Sequence, residues 1–100
     1  MMNILLVCAA GMSTSLLVTR MEDAAKGKGL SVHIEAHPVG DIEKYGDQAD
    51  IILLGPQVRY QLKSVQKRYA NKPVEVINMQ DYGMMNGAKV LEHALQVLGK

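Results

Sequence analysis

The sequence predicts a three-layer α/β fold: a four-stranded parallel sheet in strand order 2-1-3-4 with helices on both faces. Two observations predict it. First, apolar segments alternate with segments of helical spacing, the pattern of a parallel sheet built through right-handed crossovers. Second, the apolar segments are of two kinds. Asn3 to Val7 and Asp50 to Leu54 are continuous apolar runs, as expected of strands covered on both faces. Ser31 to Ala36 alternates, with Val32, Ile34 and Ala36 on one side and His33 and Glu35 on the other, and Val74 to Asn78 places Glu75 between two valines. Mixed strands suit sheet edges and continuous ones suit the centre, which puts the first and third strands inside.

The elements follow in order. After the first strand, Leu17, Met21, Ala24 and Ala25 form a helical stripe that stops at Gly27 and Gly29. The second strand leads into Pro38 to Gln48, a short polar connection expected to hold one or two helical turns. The third strand ends at Gly55-Pro56-Gln57, with Pro56 near the first position of the next helix, where proline is best tolerated. That helix carries Val58, Leu62, Val65 and Tyr69 at steps of four, three and four. The last stripe is Met84, Ala88, Leu91, Leu95 and Leu98. No repeat, linker or low-complexity tract divides the chain, so residues 1–100 read as one domain.

Composition removes several function classes. Of 100 residues, 48% are hydrophobic and 21% charged, an ordinary globular balance unlike a disordered tail or coiled coil. Eleven Lys and Arg against ten Asp and Glu leave a net charge of +1, too little to steer the protein onto nucleic acid. Trp and Phe are absent, so base-stacking platforms are missing too. One Cys allows no internal disulfide and no Cys-based zinc site. His33 and His37 lie at a strand end beside Pro38 rather than on a helix face, so no metal is expected; no cofactor is expected either. The apolar start has no basic residue before Arg20, and no run approaches the ~20 apolar residues that span a bilayer. The chain therefore reads as cytoplasmic and not inserted in the membrane, with its thiol reduced.

In an open parallel sheet, ligands sit at the carboxyl ends of the strands where the winding reverses. With order 2-1-3-4 that point lies between the first and third strands, at the loops that begin at Cys8 and Gly55. The first loop is Cys8-Ala9-Ala10-Gly11-Met12-Ser13-Thr14-Ser15, running into a helix. Its small residues let backbone N–H groups turn inward as an anion nest, and the helix adds the positive end of its dipole. The nearest downstream acidic residue is Glu22, too far along to cancel that field. The same donors that favour a cysteine thiolate at such a place would hold a phosphoryl group, with its roughly −1.5 to −2 charge and three acceptor oxygens. A lone Cys after an apolar strand is by itself more often a small buried hydrophobe, and a Ser/Thr cluster an ordinary helix cap. Their conjunction at the switch point of the sheet favours a nucleophile in an anion site.

This arrangement is similar to that of the low-molecular-weight tyrosine phosphatases, whose loop is Cys-x5-Arg-Ser/Thr. Here the position six beyond Cys8 is Thr14, so the guanidinium that would clamp phosphate in the transition state is missing. Asp81, after the fourth strand, is the one candidate for a leaving-group acid, and a turn or cap role suits it better. Without the Arg, a cysteinyl phosphate could be held but not rapidly hydrolysed, which is what a phosphate carrier needs. A phosphatase or arsenate reductase-like enzyme stays as the alternative.

From Asn3 to about Leu98, the chain resembles the IIB component of the bacterial phosphoenolpyruvate-dependent sugar phosphotransferase system (PTS), in the lactose/cellobiose/chitobiose family. The resemblance rests on the block Cys8 to Leu17, on Leu53-Leu54-Gly55-Pro56-Gln57 and on Asn71-Lys72-Pro73-Val74-Glu75-Val76-Ile77. It implies a phosphotransferase in which Cys8 takes phosphate from a phosphohistidine of the IIA component. Cys8 then passes it to a sugar, such as cellobiose or chitobiose, bound by the membrane component IIC. It also implies that Ala9, Ala10, Gly11, Met12, Ser13, Thr14 and Ser15 cradle the phosphate. Met12, Gln57 and Arg59 are candidate partner contacts. Arg59 stands out because the first turn of a helix disfavours a cation.

Overall fold

The continuous apolar runs become the two central strands. In the computed structural model, which describes residues 2–9 and 14–99, the strands are β1 (Met2–Cys8), β2 (Val32–Pro38), β3 (Ile51–Leu54) and β4 (Val74–Val76). They form one parallel sheet in the order β2-β1-β3-β4, as expected. The register sets Leu6 beside Ala36 on one side and Leu53 on the other, and sets Cys8 beside Pro38. The helices are α1 (Thr14–Gly27), α2 (Ile42–Tyr45), α3 (Leu62–Arg68), α4 (Met79–Gly83) and α5 (Gly87–Leu98). Short 3₁₀ segments occupy Val39–Asp41, Gly46–Gln48 and Pro56–Gln61.

The period-two geometry of a strand divides its side chains between two cores. Ile4, Leu6, Ile51 and Leu53 pack with Leu17, Met21 and Ala25 of α1 and with Val90, Leu91 and Ala94 of α5. Leu5, Val7, Ile52 and Leu54 pack on the opposite face with Ile42 of α2, Val58, and Val65 of α3 with Tyr69 just beyond it. Each fully buried aliphatic side chain contributes about 1.5–3 kcal/mol of transfer free energy. A polar residue anywhere from Ile4 to Val7 would therefore damage one core or the other.

Local chemistry ends the helices where the sequence signals it. Beyond α1, Gly29 has φ +68. The Gly29 N–H donates to the Lys26 carbonyl at 3.1 Å and the Leu30 N–H to the Ala25 carbonyl at 2.9 Å, a Schellman stop. Asn78 caps α4 by accepting from the Gln80 and Asp81 N–H groups, and Asn86 caps α5 by accepting from the Lys89 N–H. Gly87 lies where α5 meets α1: a Cβ there would sit 2.5 Å from the Arg20 carbonyl carbon and the Met21 nitrogen.

Several expectations are corrected. The Asn86 cap starts α5 after Met84, which is exposed, and Ala88 points to solvent. The buried stripe is Gly87, Val90, Leu91 and Ala94, with Leu95 and Leu98 at its margin. Asp81 lies within α4 rather than in a loop, because Asn78 nucleates a helical turn directly after β4. The helix expected from Val58 begins as a 3₁₀ segment with a kink at Val58 (φ −115, ψ 20), and α3 proper starts only at Leu62. Arg59 therefore lies in the 3₁₀ segment ahead of α3 rather than in the first turn of an α-helix. β2 continues two residues past Ala36 to Pro38, which an edge strand tolerates. The Pro38 to Gln48 connection contains α2 between two 3₁₀ turns, as expected.

Candidate functional site

The carboxyl ends of the strands are stitched together. The Gly55 N–H donates to the Val7 carbonyl at 2.7 Å, and the Ile77 N–H donates to the Leu54 carbonyl at 2.8 Å. Cys8, the last residue of β1, thus sits beside the Gly55 turn at the reversal point of the winding. It is 3% exposed. Its Sγ lies 3.8 Å from the His37 carbonyl on β2, with the thiol as donor. Ala9 is exposed at the bend that follows. The proposed cradle residues Ala10, Gly11, Met12 and Ser13 lie outside the described residues, as does the side chain of Thr14.

Thr14 opens α1 six positions beyond Cys8, and no acidic residue occupies the first turn of that helix. The amino end of α1 thereby keeps its positive field, as the sequence implies. Ser15 is exposed, and its carbonyl accepts the Thr19 hydroxyl at 3.1 Å. At the Gly55 turn, the exposed Gln57 folds its side chain back: its Oε1 lies 3.1 Å from where a Cβ on Gly55 would be. The Tyr82 ring approaches the same point at 3.7 Å. Arg59 is exposed on the 3₁₀ segment beyond.

Next to Cys8, one face of β2 carries His33, Glu35 and His37 in a row, as alternation requires. Glu35 bridges both imidazoles, with Oε2 3.1 Å from His33 Nε2 and Oε1 3.3 Å from His37 Nε2. Burial pushes the Glu35 carboxyl up, but hydrogen bonds from His37 and His33 and their positive charge outweigh it, and the net direction is down. The His37 ring lies flat on Tyr45 of α2, centroids 3.5 Å apart and planes at 1°. The sequence showed the His-x-Glu-x-His alternation but not the Tyr45 stack, which depends on how α2 folds back over the sheet.

Asp81 belongs to different surroundings. It lines a cavity of about 340 Å³ with Leu53, Glu75, Asn78, Val90 and His93, where His93 Nε2 and Glu75 Oε1 are 3.4 Å apart. Among the described residues, no three His, Cys, Asp or Glu side chains are grouped to hold a metal ion. Among them too, no helix is long and apolar enough to cross a membrane.

The four-stranded parallel sheet in order 2-1-3-4 with helices on both faces, which sets Cys8 at its switch point, is a fold found among solved phosphatases and PTS IIB domains alike. A low-molecular-weight protein tyrosine phosphatase from T. tengcongensis superposes with TM-score 0.64 at 12% identity over 96% of this chain and 99% of its own, a likeness of fold alone. The lactose-specific IIB component domain from Streptococcus pneumoniae superposes with TM-score 0.86 at 18% identity over 96% of both chains.

The sequence decides between the two. Residues 3–93 match the family described as "PTS system, Lactose/Cellobiose specific IIB subunit", and the chain belongs to that family. It is 47% identical over 98 residues to the cellobiose-specific EIIB component of Lactococcus lactis subsp. lactis, covering 91% of each chain. It is equally similar, over the same share of each chain, to the galactose-specific EIIB component of Lactococcus lactis subsp. cremoris.

Proposed function

We propose that this protein is a phosphoryl carrier that works between a IIA donor and a sugar held by a membrane IIC component, with Cys8 as the phosphorylated residue. The observation that supports this best is the place of Cys8. It ends β1 beside the Gly55–Val7 junction, upstream of a 14-residue helix with no acidic side chain in its first turn.

In the first step, the Cys8 sulfur attacks the phosphorus of a phosphohistidine in line. The S–P bond forms, the P–N bond breaks, and the electron pair stays on the imidazole nitrogen, which ends with the proton that the thiol gave up. In the second step a sugar hydroxyl oxygen attacks the same phosphorus. The O–P bond forms, the S–P bond breaks, and the hydroxyl proton balances the returning thiolate. The protein's part is positioning and electrostatic stabilisation of the equatorial oxygens, supplied by loop amides of residues 9 to 15 and the amino end of α1. Position 14 is Thr rather than the Arg of a Cys-x5-Arg loop, which supports transfer over hydrolysis.

The acceptor is proposed to be a β-linked disaccharide such as cellobiose or chitobiose, in keeping with the cellobiose-specific relative. Both partner contacts are brief, hence small, and form around residues 9 to 15, Gln57 and Arg59. Residues 1–100 serve as one domain in the cytoplasm. The test is reconstitution with phosphoenolpyruvate, the general PTS proteins, IIA and IIC-containing vesicles. Phosphorylated cellobiose should form only when this protein is present. Release of phosphate from p-nitrophenyl phosphate by the protein alone would instead favour the phosphatase reading.

A further inference from the structure

The His37 carbonyl, which receives the Cys8 thiol, belongs to the β1–β2 ladder, where Val7 pairs with His37 and Cys8 with Pro38, and the residue that carries it is restrained further. Pro38 follows His37, and a residue before proline is confined to extended backbone, which limits how the His37 peptide can turn. The His37 ring is stacked on Tyr45 at 3.5 Å, and its Nε2 lies 3.3 Å from Glu35. The Sγ–O distance of 3.8 Å joins this clamp to the sulfur. We infer that His37 and Tyr45 are positioning residues for Cys8: stacked together, they hold the His37 carbonyl where it orients the resting thiol toward β2.

A hydrogen bond from S–H to a carbonyl can be made only while the sulfur keeps its proton. Phosphoryl acceptance then requires the sulfur to swing off this acceptor, and the clamp restrains the thiol between turnovers. The inference rests on Cys8 being the phosphoryl acceptor, but the geometry can be tested without any phosphate. The other ionisable groups at the clamp are Glu35 and His33, on the same strand face as His37.

The chain has one cysteine, so its S–H stretching band reports position 8 alone. Three variants separate ring from backbone: His37→Ala and Tyr45→Leu remove the stack, and His37→Phe keeps a ring on Tyr45. In His37→Ala and Tyr45→Leu the band should move toward that of a weakly bonded thiol. Their alkylation by iodoacetamide at pH 7 should rise about three- to tenfold, the scale of one weakened hydrogen bond. His37→Phe, which keeps the stack and loses only the Glu35 contact, should lie closer to the unmodified protein than to His37→Ala in both readouts. An unchanged band and rate in His37→Ala and Tyr45→Leu would overturn the inference, as would His37→Phe behaving like His37→Ala. Thermal melts establish which variants are folded, and Tyr45→Leu, which retains apolar bulk, carries the test if His37→Ala is unstable. If the unmodified protein never acquires a phosphocysteine, the reading of function fails while the band and the alkylation rates still decide the clamp.

Discussion

The Gly55 N–H donates to the Val7 carbonyl at 2.7 Å, so the turn after β3 is fixed to the residue before Cys8. A side chain at position 55 would meet the Gln57 amide at 3.1 Å, and that amide is the mobile end of an exposed side chain. Gly55→Ala should therefore displace Gln57 at a cost in stability below about 1 kcal/mol. If Gln57 and Arg59 meet the donor, Gln57→Ala and Arg59→Ala should leave the melting temperature unchanged. Each should also raise KM for phosphorylated IIA with little change in kcat. Transfer kinetics equal to those of the unmodified protein in both variants would remove them from the donor surface.

Gly46 is required by Tyr69. A Cβ at position 46 would lie 2.4 Å from the phenol ring, whose hydroxyl donates to the Ile42 carbonyl at 3.2 Å. Gly46→Ala should destabilise the fold by about 1–3 kcal/mol through overpacking. At ~4–8 °C per kcal/mol for a domain of this size, the thermal midpoint should fall clearly. Gly40→Ala, where a Cβ meets nothing within 4 Å, is the control and should shift it little.

Lys72 ties the same segment down from the other side. Its ammonium donates to the carbonyls of Gly46 at 2.7 Å, Asp47 at 3.0 Å and Ala49 at 2.8 Å. Lys72→Met should cost about 1–3 kcal/mol, the range for hydrogen bonds to a charged group. Hydrogen exchange at the amides of residues 46–50 should accelerate more than in the central strands.

Glu35 gives the protein a defined acid response. Its carboxyl titrates below the ordinary 4.5 in the folded state, because the hydrogen bonds and charges of His37 and His33 overcome burial. The folded state thus binds the proton less readily than the unfolded chain. The stabilisation is complete above about pH 4.5 and is lost as the pH falls through the lowered folded value. Glu35→Gln should flatten the fall in melting temperature between pH 5 and 3 while changing little at pH 8. An equally steep fall in the variant would contradict the assignment.

The fold was legible because burial leaves a direct mark on the central strands: Ile51-Ile52-Leu53-Leu54 has no polar position, and only a strand covered on both faces tolerates that. The place of Cys8 followed from the strand order. Helix starts were less legible. Val58 and Met84 carry the right spacing, but a kink and the Asn86 cap move the real starts to Leu62 and Gly87. Periodicity reports a buried face and says little about where hydrogen bonding begins. The Tyr45–His37 stack and the Lys72 clip were not legible, since each joins residues that only the tertiary fold brings together.

The most direct test of the account is intact mass after incubation with phosphoenolpyruvate, the general PTS proteins and IIA. The protein should gain the mass of one phosphoryl group, located at Cys8 by fragmentation. A folded Cys8→Ser variant should gain none, because an alcohol is not activated by the loop alone. A phosphoryl group on another residue, or on the serine variant to the same extent, would contradict the central claim.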